Sequence, residues 1–371
     1  MATHHARHYA TGAAIAVTIE GGLITAVTPS KQNPVAWIAP AFFDVQINGC
    51  LGIGFNSPTL TPEQVRKVAE VCRAHGIGTF YPTLVTNSFD AIRHGFETLQ
   101  QAVEADADLK RGIPGYHLEG PYLSGEEGPR GAHPREHSRD PNWDEFRRWQ
   151  DAAGGRIRMV TVAPERNGAI EFIAKLTATG VVVALGHTSA TGDTIRAAVD
   201  AGAKTSTHLG NGSHAVLPRH DNYIWEQLAE DRLWMSVITD GHHLPAAVVR
   251  SLLRAKGISR TILTCDAGPL AGSPPGRYRE WGIEMEVLPS GKTIVAGTPY
   301  LAGSGHFTDR CVSEVIRMAG VSLKDAIEMA SLRPRELMGL PLPRIEAGEP
   351  SGLVLFNWQP GGEVKVSEIA D

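Results

Sequence analysis

An α/β fold, a (β/α)8 TIM-like barrel, is what this 371-residue chain predicts, and three observations carry the prediction. Eight short apolar segments each run into a polar or Gly-rich turn. Amphipathic helical stretches lie between several of them. Histidines and carboxylates recur at the ends of the apolar segments, which is where a barrel of this kind carries its chemistry.

In chain order, the opening "MATHHARHYATG" lacks the apolar core of a signal peptide and reads as a disordered, polar start rather than a histidine metal site. "AAIAVTIEGGLITAVTP" (13–29) reads as a hairpin turning at Glu20-Gly21-Gly22. The barrel strands follow as "AFFDVQING" (41–49), "GTFYPTL" (78–84), "GIPGYHLEG" (112–120), "IRMVTVAPE" (157–165), "VVVALGHTS" (181–189), "KTSTHLGNG" (204–212), "LWMSVITDG" (233–241) and "RTILTCDAG" (260–268). Between the first two, "TPEQVRKVAEVCRAHG" has a Thr cap, Pro in its first turn, apolar Val65, Val68, Ala69 and Cys72, and a stop at Gly76. "SATGDTIRAAVDAG" and "LPAAVVRSLLRAKG" have the same form. An open doubly wound sheet would need a Gly-rich phosphate turn after its first strand; "INGCLGIGF" has the glycines, but no helix follows. "SGLVLFNW" and "GEVKVSEI" add strands near the C-terminus. The two ends are therefore expected to build a small β-sandwich domain from residues 1–39 and 345–371, with the barrel over 40–344.

Composition narrows the function. The net charge of -5, with no basic block, argues against a nucleic-acid partner. No apolar run approaches the roughly 20 residues of a membrane span. Cys50, Cys72, Cys265 and Cys311 are scattered without zinc-ribbon or redox spacing, which suits a reducing, cytoplasmic compartment.

The strand ends carry Gln46, Asn48, Glu119, His187, His208, His243 and Asp266. Taken singly, each has a bland reading as a cap, a turn residue or a hydrogen-bonded core group. If the barrel forms they converge, and the bland reading must be repeated for each. A buried Glu119 needs a positive partner, either an arginine or a metal. One Glu and two His with an open position form a divalent catalytic set. Asp266, flanked by Cys265 and Ala267, would remain free to take a proton from water.

With these motifs in place, the chain resembles the N-acetylglucosamine-6-phosphate deacetylase family of the amidohydrolase superfamily, from about Ala13 to the C-terminus. "PAFFDVQINGCLGIGFN" looks like the family's first barrel strand, where Gln46 and Asn48 stand in place of the His-x-His of most amidohydrolases. "HLEGPYLS", "LGHTSAT" and "THLGNGS" resemble its metal motifs, "TDGHH" its substrate histidine, "LTCDAG" its catalytic Asp and "LAGS" its substrate loop. The resemblance implies one divalent metal, zinc with iron or manganese as alternatives, on Glu119, His187 and His208. It implies Asp266 as acid-base and His133, in "RGAHP", near the acetyl group beside Ala132. Asn211, Gly212, Arg219, His243, Leu301, Ala302, Gly303 and Ser304 would hold an amino-sugar phosphate, in a homodimer.

There are departures from the family pattern. Gly212 stands where the family usually has Ala, and "HDN" follows Arg219 in place of "EPG". Arg277, in the arginine-rich "PPGRYREWG", reads as a surface charge; Trp225, Trp234 and Trp281 read as core or interface. Gln46 and Asn48 are left to hydrogen-bond within the mouth or to touch a second metal. Two other functions compete: an amidohydrolase acting on a different N-acyl sugar or a cyclic amide, and a non-catalytic sugar-phosphate binder. The absence of His-x-His in "DVQIN" argues against a cyclic-amide hydrolase or deaminase. Retention of Asp266 and of all three ligands argues against the binder.

Overall fold

In the computed structural model, which describes residues 1–371, the eight expected segments form eight parallel strands in chain order. They are Phe42–Ile47, Ile77–Val85, Tyr116–Glu119, Ile157–Val162, Val182–Leu185, Thr205–Ser206, Trp234–Val237 and Thr261–Leu263. The ring closes just past the eighth strand, where Ile47 bridges Ala267 and Asn48 N–H donates to Ala267 O at 2.8 Å. The last and first strand ends, and so Asp266 and Gln46-Ile47-Asn48, are thereby held side by side.

Alternation along the strands explains the interior. Phe43, Val45, Tyr81, Met159, Val182, Ala184, Trp234 and Ile262 point inward and plug the N-terminal half of the barrel. Burying such a side chain stabilises the fold by about 1.5–3 kcal/mol. Two residues further along the strands the interior turns polar. His117 Nε2 lies 2.8 Å from Thr161 Oγ1, which lies 2.8 Å from Thr207 Oγ1. The same two-residue step from His117 places Glu119 at the mouth.

The helix Pro62–Ala74 begins as its sequence dictates. Thr61 Oγ1 accepts from Gln64 N–H, Gln64 Oε1 accepts from Thr61 N–H, and Pro62 opens the first turn. Val65, Val68, Ala69 and Cys72 are its buried face. The chain leaves at Gly76 (φ 77°), where a Cβ would lie 2.9 Å from Val354 Cγ2. Helices Gly192–Asp200 and Ala246–Lys256 fall where expected.

The chain ends form one six-stranded sheet from Ala2–His8, Ala14–Glu20, Leu23–Pro29, Ala36–Pro40, Leu353–Asn357 and Lys365–Ala370. It curls until Ile24 N–H donates to Glu349 O at 2.9 Å, enclosing Ala6, Val17, Ile19, Ile24, Ile38, Leu353 and Leu355. The hairpin turns at Gly21-Gly22, both at positive φ. The N-terminus corrects the expectation of disorder: Ala2–His8 is an interior strand, antiparallel to Ala14–Glu20 and parallel to Ala36–Pro40. Ala6 faces the core, while His5 and Arg7 are satisfied by Ser30 Oγ (2.8 Å) and Pro34 O (3.0 Å). Polar side chains whose partners lie some distance along the chain hide the strand's period of two.

A further, three-stranded sheet was not expected. Gly276–Glu280, Ile283–Val287 and Thr293–Val295 form an antiparallel insertion after the eighth barrel strand, turning at Trp281-Gly282. Arg277 is exposed on it, as a surface charge should be. Trp234 is in the barrel plug, Trp225 is 55% exposed, and Trp281 faces the barrel mouth. No helix is long and apolar enough to cross a membrane.

Candidate metal centre and active site

At the C-terminal mouth the strand ends bring Glu119, His187 and His208 together. His208 Nε2 lies 3.0 Å from Glu119 Oε1, His187 Nε2 lies 3.2 Å from the same oxygen, and the two Nε2 atoms are 3.2 Å apart. All three residues are buried. His187 Nδ1 is 2.8 Å from Pro129 O, which only accepts, so Nδ1 carries the proton and a neutral His187 turns an Nε2 lone pair toward the carboxylate. His208 Nδ1 is buried without a partner. Burial pushes the Glu119 carboxyl up, but hydrogen bonding and electrostatic attraction from the two imidazoles outweigh it and hold the group well below its ordinary range. Two imidazolium rings at this separation would repel. A divalent cation among the three atoms satisfies the carboxylate and both lone pairs together. A tetrahedral ion with ligand bonds of about 2.0–2.1 Å separates its ligands by roughly 3.3 Å, close to the triangle observed.

The backbone places these groups by force. His187, His208 and Asp266 all have left-handed φ values, 50°, 28° and 53°. Non-glycine residues adopt this region at a cost and concentrate there at functional sites. Glycines make room: a Cβ on Gly212 would lie 2.6 Å from His187 Nδ1. The His187 ring therefore packs directly on the backbone at the position where an alanine was expected.

His133 is buried against His187, with its Nε2 3.3 Å from His187 Nε2 and its Nδ1 2.9 Å from Thr86 Oγ1. Burial first, and then the neighbouring His187, pull it down to about 3, so it is neutral at physiological pH. Glu119, His133 and His187 also offer ligand atoms within 4.8 Å of one another, an alternative set that shares two residues with the Glu119–His187–His208 triangle. Asp266 is partly buried, and desolvation, followed by the charge of Glu119, pushes it up to about 8. A divalent ion beside Glu119 acts in the opposite sense. The chain neighbours Cys265 and Ala267 do not engage the Asp266 side chain, but residues at the end of the first strand do. Gln46 Nε2 and Asn48 Nδ2 both donate to its Oδ1, at 3.0 and 2.7 Å. The contacts come from across the seam, so its chain neighbours could not reveal them.

These groups line a cavity of about 720 Å³ that also includes Thr86, Arg130, Ala132, His133, Asn211, Gly212, His243, Trp281, Tyr300, Leu301 and Gly303. Residues 37–367 match the amidohydrolase family. An N-acetylglucosamine-6-phosphate deacetylase from Bos taurus is 39% identical over 82% of this chain and 75% of its own length. This chain belongs to the amidohydrolase family, in its N-acetylglucosamine-6-phosphate deacetylase branch. An N-acetylgalactosamine-6-phosphate deacetylase from Escherichia coli O157:H7 is 32% identical over 87% of this amidohydrolase and 84% of its own length. Among solved structures, the N-acetyl-D-glucosamine-6-phosphate deacetylase of Mycobacterium smegmatis, as a mutant in complex with N-acetyl-D-glucosamine-6-phosphate, is 31% identical with a TM-score of 0.85, covering 95% of each chain.

The other expected site residues of this amidohydrolase divide into three groups. His243 belongs to the cavity: its Nδ1 is 2.8 Å from Asp240 Oδ2, which also accepts from Ser304 Oγ at 2.7 Å. Burial raises Asp240, but the His243 contact, backbone N–H groups and Ser304 hold it well below the usual carboxylate range. Ala302 and Ser304 are buried and do not line the cavity; Leu301 and Gly303 do. Ser304 thus acts on the cavity through Asp240 and His243. Arg219 is exposed and lies outside the cavity wall. Trp281, Ile283, Val295 and Tyr300, from the inserted sheet and the loop after it, supply an apolar side to the cavity that was not foreseen from sequence. The alternation in "RYREWGIEMEV" about a Trp-Gly turn was the available signal.

Proposed function

We propose that this chain is a metal-dependent hydrolase removing the acetyl group from an N-acetylated amino-sugar phosphate, converting N-acetylglucosamine 6-phosphate to glucosamine 6-phosphate and acetate. The observation that carries this reading is the placement of Asp266. It is a partly buried carboxylate lining the cavity, outside the Glu119–His187–His208 triangle and free for proton transfer beside it. A divalent ion on Glu119, His187 and His208, zinc in this reading with iron and manganese compatible, supplies Lewis acidity toward a carbonyl oxygen and toward water.

The chain's own residues do the rest. Asp266 takes a proton from water as the water oxygen bonds to the acetyl carbon. It returns that proton to nitrogen as the C–N bond breaks, because an unprotonated amine leaves poorly. His133, with Thr86 Oγ1 donating to Nδ1, carries its proton on Nε2 and offers it to the developing oxyanion. The apolar wall of Trp281, Ile283 and Val295 keeps bulk water from this exchange. Because a relative named for N-acetylgalactosamine 6-phosphate is also similar, the galacto sugar is the second reading. The test is a panel of N-acetylated hexosamines, with and without 6-phosphate, read by amine release from purified protein. No release from any of them overturns the reading.

Support for the finer assignments differs in kind. Arg219 as a phosphate-reading residue rests on its motif and on guanidinium–phosphate complementarity. Arg219→Ala is expected to cost roughly 10- to 150-fold in kcat/KM, mainly through KM, for the phosphorylated sugar only. Equal losses with and without phosphate would show that Arg219 does not read it. Ala132, Asn211, Gly212, His243 and Leu301 to Ser304 complete the proposed sugar-binding set. A homodimer is proposed from the family resemblance, supported by the exposed apolar side chains of Val216 and Trp225. Cytoplasmic residence is supported by four free, buried cysteines. The division into 1–39 with 345–371 and 40–344 is part of this proposal, supported by the six-stranded sheet that draws its strands from both chain ends.

A further inference from the structure

Asn48 stands where its fold could have placed a metal-binding histidine, and its side chain faces two ways. Nδ2 donates to Asp266 Oδ1 at 2.7 Å. A carboxylate only accepts, so this contact fixes which end of the amide is nitrogen. Oδ1 must then point away from Asp266. It is buried and has no hydrogen-bond partner in the protein, although Asn48 lines the cavity. Gln46 makes the matching donation to the same Asp266 oxygen at 3.0 Å but is not part of the cavity wall. A buried acceptor left unpaired is costly, and most such groups in folded proteins are satisfied. What is missing at Asn48 is an N–H or O–H donor that arrives with a ligand.

We propose that Asn48 binds the scissile amide of the substrate, its Oδ1 accepting from the amide N–H while its Nδ2 holds Asp266. The inference rests on the acetyl-amide reading above. It explains three things together. The two donors tie up Asp266 Oδ1, which leaves Oδ2 as the oxygen that moves the proton. The substrate nitrogen is placed beside the carboxylate that must protonate it, since the oxygen and nitrogen of one carboxamide group serve the two partners. The site also prefers an amide to an ester, because an ester oxygen has no hydrogen to give Asn48. Gln46 is a positioning residue only, acting through Asp266. No bond is made or broken to Asn48; the proton travels from water to Asp266 Oδ2 and then to nitrogen.

The test compares Asn48→Ala and Gln46→Met with wild type on N-acetylglucosamine 6-phosphate and on p-nitrophenyl acetate, an acetyl ester without an N–H. Metal content and melting temperature are recorded for each. Gln46→Met should lower kcat with KM little changed, and to a similar degree on both substrates. Asn48→Ala should lower kcat/KM for the amide by roughly 5- to 100-fold more than for the ester, with KM for the amide raised. If Asn48→Ala loses the same factor on both substrates, it only positions Asp266 and the proposal fails. Should Asn48→Ala not fold, Asn48→Asp serves in its place. It keeps the acceptor and loses the donor, so KM for the amide should hold while kcat falls; a raised KM overturns the proposal. Wild-type protein that releases no amine from any sugar overturns the deacetylase reading instead, a result distinct from either.

Discussion

Asp266→Asn is expected to lower kcat by at least about 10²-fold, the lower range for losing a general acid-base. Metal content and substrate KM should stay near wild type. Asparagine preserves the shape and cannot carry the proton from water to nitrogen. The pH profile sharpens this expectation. Burial first and the Glu119 charge second push Asp266 up to about 8. A base works only when ionised, so activity should rise with pH through the Asp266 titration and be lost below it. The divalent ion offsets Glu119, so the acid limb of the loaded enzyme should lie below 8. Measured across pH 5 to 9, that limb should vanish from the residual activity of Asp266→Asn. Near-wild-type turnover with metal intact, or an unchanged acid limb, would mean the proton moves through another group.

Removing a metal ligand should be at least as damaging. Outer partners of metal ligands already cost about 10- to 100-fold in affinity or activity, and direct ligands should cost more. Glu119→Gln, His187→Asn and His208→Asn should each lose the ion in elemental analysis and reduce turnover to background. His133→Asn separates the two possible donor sets. It should keep the metal and lose catalysis, because His133 makes no hydrogen-bond contact with Glu119 or His208, its Nε2 meeting His187 at 3.3 Å and its Nδ1 Thr86. Full occupancy in Glu119→Gln and His187→Asn would remove the assignment, and loss of metal in His133→Asn would move the site toward Glu119, His133 and His187.

Most of the barrel was legible because its signals are local. A buried strand is a short apolar run, its end is a polar turn, and a helix start such as Thr61-Pro62 is written in three or four residues. Glu119, His187, His208 and Asp266 could be picked out because strand ends converge in a closed ring. What escaped depends on partners distant in sequence. The strand Ala2–His8 is held by its neighbours in the sheet and carries mostly polar side chains. The clamp of Gln46 and Asn48 on Asp266 exists only because the barrel closes at Ile47 and Ala267. Arg219 could be named from a motif, but its exposure depends on the path of the loop that carries it, which the motif does not encode. The inserted sheet of residues 276–295 has the alternation of a hairpin, obscured by its arginines and glutamates.

The left-handed backbone at His187, His208 and Asp266 has an evolutionary consequence. Each such residue opposes the intrinsic preference of an L-amino acid by roughly 1–2 kcal/mol, a sizeable share of a margin that is about 5–15 kcal/mol for whole proteins. Glycine or asparagine at these three positions would relieve that opposition and abolish the chemistry. A lineage released from the need for this reaction would therefore meet little resistance to losing it, since the disabling changes favour folding. For the same reason, a library of this chain sorted for heat resistance alone should be enriched in inactive survivors altered at these strand ends. Any effort to harden the protein has to screen for turnover in every round.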